Sequence, residues 1–98
     1  PMLLTIPAVK ERIAPVCKTH GVAKVYLFGS YARGEATEES DVDLHIEGGR
    51  IQGLFELSGF RQDIVEALEK DVDIITCVPK PEHFRENLER EEILLYAN

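Results

Sequence analysis

Apolar residues recur at helical spacing across positions 6–20, at Ile6, Val9, Ile13, Val16 and Cys17. Thr5 is placed to cap the start of this helix, and Gly21 to close it in the left-handed conformation. Pro15 conflicts with the pattern. It removes a backbone donor and its ring meets the carbonyl of Glu11, which predicts a kink or a break. Val22–Phe28 reads as a strand through its β-branched and aromatic residues, and Gly29-Ser30 ends it. Tyr31–Gly34 has room for one helical turn. Asp41–Ile46 alternates cleanly, with Asp41, Asp43 and His45 on one face and Val42, Leu44 and Ile46 on the other; Gly48-Gly49 stops it. Leu54, Phe55, Ser58, Arg61, Ile64, Val65 and Leu68 trace a helical stripe over 54–69 with two polar faults, weakened by Gly59. Val72–Cys77 reads as a third strand, closed by Pro79 and Pro81. Residues 82–90 read as a helix with Phe84 and Leu88 four apart. Ile93–Tyr96, apolar throughout, suits either a last helical turn or a short edge strand.

The predicted order is α-β-α-β-α-β-α, which indicates a small α/β or α+β sheet domain. Ninety-eight residues leave room for one domain, 1–98. Eighteen acids against eleven Lys and Arg give a net charge of −7. That balance disfavours non-specific nucleic-acid binding, which needs basic residues to replace counterions. It suits a basic partner, or one that brings metal cations. No apolar run approaches the roughly 20 residues of a membrane helix, and no signal peptide is recognisable, so the expected location is the cytoplasm. Cys17 and Cys77 lack CxxC spacing, and no second ligand pair accompanies Cys17 and His20, so both cysteines read as buried thiols. P-loop, HExxH and GxSxG patterns are absent.

The acids are unevenly placed: six fall between Glu35 and Glu47, with no Lys or Arg among them. Asp41 and Asp43 lie two apart on a strand and leave the same face. Like charges about 4 Å apart repel by about 4 kcal/mol at a surface-like dielectric. A proton on one of them, or a hard cation such as Mg²⁺ or Mn²⁺ between them, offsets this. Alone, Asp-x-Asp reads more readily as the solvated face of an edge strand. The neighbouring turn changes that balance. Phe28-Gly29-Ser30 ends an apolar strand and opens a helical turn, where backbone N–H groups bind anions and glycine permits close approach. The Ser30 hydroxyl adds a donor, and Arg33 can pair with phosphate oxygens. If the first two strands are antiparallel, this phosphate cradle and the carboxylates face one site. A parallel crossover through the 54–69 helix then brings the third strand's start alongside, with Asp73 next to Asp41 and Asp43. Asp71 has the same parity and competes, but it stands at the strand's mouth rather than inside it.

Gly29-Ser30-x10-Asp41-x-Asp43 resembles the signature of the DNA polymerase β-like nucleotidyltransferase superfamily. Leu27–Gly34, Ser40–Leu44, Leu54–Arg61 and Val72–Ile74 together resemble its minimal nucleotidyltransferases (MNT), over nearly the whole chain. The resemblance implies a nucleotidyltransferase fold with a small mixed three-stranded sheet flanked by helices. It implies two divalent cations, Mg²⁺ or Mn²⁺, held by Asp41, Asp43 and Asp73, and ATP held by Gly29, Ser30, Arg33 and Ser40. Its chemistry is attack of a hydroxyl on the α-phosphorus with loss of pyrophosphate, and Asp73 is the candidate proton acceptor. Stand-alone MNT proteins resemble the antitoxins of HEPN–MNT toxin–antitoxin pairs. The implied acceptor is therefore a tyrosine hydroxyl of a HEPN ribonuclease toxin, with which the chain would form a hetero-oligomer. Where relatives often have a glycine turn before the third strand, this chain has Glu69-Lys70-Asp71, which leaves the end of the preceding helix open.

Two rival functions remain: an antitoxin that blocks its toxin by contact alone, and a nucleotidyltransferase subunit acting on a small molecule with a second chain. Tyr31, beside Ser30, reads as a surface aromatic near the cleft rather than a self-modified acceptor. His45 reads as a partly buried strand histidine, with a nucleotide or metal contact as the sharper alternative.

Overall fold

The computed structural model describes residues 3–76 and 91–98. The predicted helix at 82–90, Cys77 and the closing prolines Pro79 and Pro81 lie outside those residues. Helix α1 spans Ile6–His20 and is continuous through Pro15, so the expected break does not occur. Pro15 is exposed, and its ring lies on the solvent side of the helix. Thr5 caps α1 by accepting from the Ala8 N–H at 3.2 Å, and Gly21 ends it at φ +69°. Strand β1 is Val22–Phe28, and the short helix α2 is Gly29–Arg33. Strand β2 is Val42–Gly49, helix α3 is Leu54–Leu68, strand β3 is Val72–Ile75 and strand β4 is Ile93–Ala97.

The sheet has four strands in the order β3-β2-β1-β4, not three. The apolar run at 93–96 is the added edge strand, antiparallel to β1. Its hydrogen bonds come from a partner distant in sequence, and periodicity in five apolar residues does not show them. β1 and β2 are antiparallel, and β2 and β3 are parallel, which the crossover through α3 makes possible. β2 also runs past the expected stop, because Gly49 pairs with Val22. A Cβ at Gly49 would collide with the Gly21 carbonyl and the backbone of Val22, so glycine continues this strand instead of ending it.

Val42, Leu44 and Ile46 of β2 and Val25 and Leu27 of β1 are buried with Val9, Ile13 and Cys17 of α1 and Phe60, Ile64 and Leu68 of α3. This two-layer core is what the alternation in β2 anticipates. Burial pushes the Cys17 thiol up to about 12, so it behaves as a small apolar residue. The Arg61 Nε–H donates to the Val72 carbonyl at 2.9 Å and ties α3 to β3. The departure from a glycine turn has a visible cost. Glu69, the cap of α3, takes φ +56°, the one described non-glycine residue in the left-handed region. Such a conformation costs roughly 1–2 kcal/mol for a side chain with a Cβ, partly offset by the greater unfolded-state freedom of glycine. Glu69→Gly should therefore raise stability by about 0.5–1 kcal/mol, read as a higher urea midpoint at unchanged slope.

Candidate functional site

The site lies at the end of the sheet where β1 finishes and β2 and β3 begin. Parallel pairing places Asp43 directly beside Asp73, and antiparallel pairing places Phe28 beside Asp43. Neighbouring strands are about 4.8 Å apart, so the two carboxylates rise side by side from one face. Asp41 stands one residue before β2, exposed, with the same parity as Asp43. The competitor Asp71 instead uses its carbonyl to accept from the Val42 N–H at 3.0 Å, which joins the starts of β2 and β3.

Gly29 couples the turn to the carboxylates. Its φ is +74°, and a Cβ there would overlap the Asp43 carboxylate. The first residues of α2 are therefore seated against Asp43, and only glycine fits between them. The N-cap residue of α2, Phe28, has no side chain that caps the helix, which leaves the leading N–H groups without a side-chain acceptor. Arg33, at the other end of α2, is exposed and pairs with Glu35 at 2.8 Å and Glu91 at 3.4 Å. The hydrogen bond from Arg33 to Glu35, with the charges of Glu35 and Glu91, raises the guanidinium pKa further. Ser40 folds back into its own loop: its Oγ accepts from the Thr37 N–H at 2.9 Å. Of the sequence candidates, then, Gly29, Ser30, Asp41, Asp43 and Asp73 share one edge. Arg33 reaches it while bound to two glutamates, and the Ser40 hydroxyl is engaged in a turn.

The expectation for Tyr31 changes, and that for His45 holds. Tyr31 is not a surface residue. It is 4% exposed, with its hydroxyl accepting from the Leu4 N–H at 3.4 Å, so it belongs to the core and not to the cleft. His45 is a buried strand histidine: its Nδ1 meets Glu92 at 2.7 Å, and its ring stacks on Tyr26. A groove of about 400 Å³ between α1 and α3 contains none of these residues.

The electrostatics single out Asp43. Burial, then the charge and hydrogen bond of Asp73 and the charge of Asp41, raise its carboxyl from 3.8 to about 6, against a small opposing effect of Arg33. Among the described residues no three acidic, histidine or cysteine side chains are closed into a ready-made cation cage. The donor set nevertheless suits a hard divalent cation, because all three candidates are carboxylate oxygens. Two are in paired register, and their repulsion is what a cation would relieve.

The raised value has a sign. The folded chain holds the Asp43 proton more tightly than the unfolded chain does. Its contribution to stability is therefore full below about pH 4 and is lost as pH rises through about 6. At pH 7.5, Asp43→Asn should stabilise the cation-free chain by about 1–2 kcal/mol after allowance for solvent screening, with the gain vanishing near pH 4. Urea titrations at the two pH values check this.

The profile of the nucleotidyltransferase domain matches residues 10–96. A Methanocaldococcus jannaschii relative, provisionally named a protein adenylyltransferase, is 38% identical over 73 residues, 74% of this chain and 78% of its own. A solved structure provisionally identified as a minimal nucleotidyltransferase has a TM-score of 0.76 at 30% identity, over 95% of this chain and 98% of that one. A chain from a Shewanella oneidensis complex, a tri-AMPylated HEPN toxin with its MNT antitoxin, shares the fold at a TM-score of 0.69. It is 17% identical, over 96% of this chain and 74% of that one. With the Gly-Ser turn and the carboxylates gathered at one sheet end, these likenesses lead to one conclusion: the chain belongs to the nucleotidyltransferase family, in its minimal form.

Proposed function

We propose that this chain is an antitoxin-type protein adenylyltransferase, moving AMP from ATP to a tyrosine hydroxyl of a HEPN ribonuclease toxin. The observation that carries the reading is the junction of Gly29 with Asp43. One contact sets a phosphate-binding turn against paired carboxylates, so a triphosphate on the turn is presented to the acidic edge. The M. jannaschii relative supports the activity class, and the S. oneidensis complex supports both the transferred group and the partner class.

In this mechanism the Gly29 and Ser30 N–H groups and the Ser30 hydroxyl hold phosphate oxygens. Arg33 exchanges a glutamate for the triphosphate, a charge-assisted contact of the same kind. Two Mg²⁺ ions held by Asp41, Asp43 and Asp73 would neutralise the triphosphate and acidify the acceptor hydroxyl. The tyrosine oxygen attacks the α-phosphorus and a new P–O bond forms. The bond to the β-phosphate oxygen breaks, and pyrophosphate leaves with that electron pair. Asp73 takes the tyrosine proton, since it stands at the exposed end of the pair. Beyond placement and charge, such a transfer asks little of the protein.

A contact-only antitoxin is the second reading. Leu54 and Phe55, 85% and 89% exposed, favour it, because paired apolar side chains in a first helical turn give a partner something to bury. Intact-mass spectrometry separates the two. The product of the adjacent gene, incubated with this chain, ATP and Mg²⁺, should gain whole AMP units on tyrosine. Asp41→Asn should abolish the gain while leaving the fold intact. A stable complex with an inhibited ribonuclease and no mass gain would replace transfer with contact inhibition.

A further inference from the structure

Lys70 is one of the least expected side chains in the core. It is 9% exposed, in the turn between α3 and β3. Lysine is rarely buried, because its ammonium loses hydration that only good partners replace. Its Nζ donates to the Glu38 carbonyl at 2.8 Å. Glu38 lies midway along the loop that runs from the end of α2 to Asp41. The next residue in the turn grips the end of the same loop, since the Asp71 carbonyl accepts from the Val42 N–H at 3.0 Å. The loop is also closed on itself, through the Thr37 N–H to Ser40 Oγ bond at 2.9 Å. Residues 70 and 71 therefore hold the loop at two points, and both residues lie within three positions of Asp73.

The choice of a cation follows from the loop's charge. Between Glu35 and Glu47 the chain carries six acids and no Lys or Arg. Such a loop repels itself and repels the carboxylates beside it. A neutral donor could bond one carbonyl, but an ammonium also offsets the surrounding negative charge. Glu69, immediately before Lys70, takes the left-handed backbone conformation at φ +56°. A strained residue and a buried charge are thus adjacent in this turn.

We propose that Lys70 is a positioning residue of the carboxylate site. By holding the 34–41 loop against the start of β3, it sets where Asp41 stands relative to Asp43 and Asp73. The role rests on reading those three carboxylates as the cation ligands. It predicts that loss of Lys70 loosens the loop and weakens cation binding without unfolding the sheet.

The test uses the full chain, without nucleotide or toxin, and Mn²⁺ as the probe. Lys70→Met removes the charge and the donor at similar size, and Lys70→Gln serves if Met does not fold. Lys70→Arg restores both charge and donor. In the Met or Gln variant, amide exchange at residues 36–41 should accelerate while Val22–Phe28 keeps its protection. Mn²⁺ affinity by calorimetry should fall by about tenfold to a hundredfold, as expected for a residue that orients metal ligands, and Arg should recover most of it. Unchanged exchange at 36–41 would overturn the clamp. Faster exchange with undiminished Mn²⁺ affinity, or an Arg variant no better than Met, would overturn the positioning role. A wild-type chain that binds no Mn²⁺ would overturn the carboxylate reading itself and this role with it. A wild type and a Met variant that bind Mn²⁺ equally would overturn this role alone.

Discussion

Repulsion between Asp43 and Asp73 is the constraint around which the rest of the structure is arranged. Parallel register fixes the two carboxylates side by side. At about 4.8 Å and an effective dielectric near 20, two full charges would cost about 3–4 kcal/mol. The backing for that cost lies on the opposite face of the same strands. Val42, Leu44 and Val72 are fully buried, under Phe60, Ile64 and Leu68 of α3. Each such side chain contributes about 1.5–3 kcal/mol when removed from water. The strand alternation thus places the destabilising charge and the burial that outweighs it on adjacent residues. Neither is adjustable without shifting the other by a full register step.

The unusual backbone positions near the site serve the same arrangement. Gly29 takes a positive φ because the Asp43 carboxylate occupies the space a side chain would need. Glu69 takes one immediately before Lys70, which is turned inward. One bend seats the Gly29-Ser30 turn on the carboxylates, and the other lies beside the contact that holds the acidic loop. Both strands that carry acid are therefore gripped at their starts, the end at which chemistry would take place.

Much of this was legible in the sequence. The alternation of Asp41–Ile46 announced one buried and one acidic face. The length of the 54–69 stripe allowed a parallel crossover, which would place Asp73, in preference to Asp71, beside Asp43. What escaped has physical reasons. The run Ile93–Ala97 has the composition of a strand, but its pairing with β1 is a contact across some 70 residues, beyond what local periodicity carries. Gly48-Gly49 looks like a stop because glycine is usually weak in strands, and here it is required by the close approach of Gly21 and Val22. Pro15 is tolerated because it lies on the exposed side of α1. Lys70, between Glu69 and Asp71, carries the signature of a solvated charge. The resemblance left only the end of the preceding helix open at Glu69-Lys70-Asp71, and nothing in that run pointed to a buried lysine.

The distribution of ion pairs gives the acidic surplus a meaning that net charge alone does not. Among the described residues, Arg33 is taken by Glu35 and Glu91, His45 faces Glu92, and His20 faces Asp63. Lys70 is committed to a backbone carbonyl. Asp41, Asp43 and Asp73 take part in none of these pairs, although the chain brings two of them into register. Among the described residues no Lys or Arg is ion-paired with Asp41, Asp43 or Asp73, so much of their repulsion is kept as stored free energy that a proton or an incoming cation would release. The rise of the Asp43 carboxyl to about 6 is the proton's share of that release. At neutral pH the proton is mostly gone, so the larger share would fall to a cation, if one is bound. The feature that weakens the cation-free fold is thus the same one that would favour positive charge at these carboxylates.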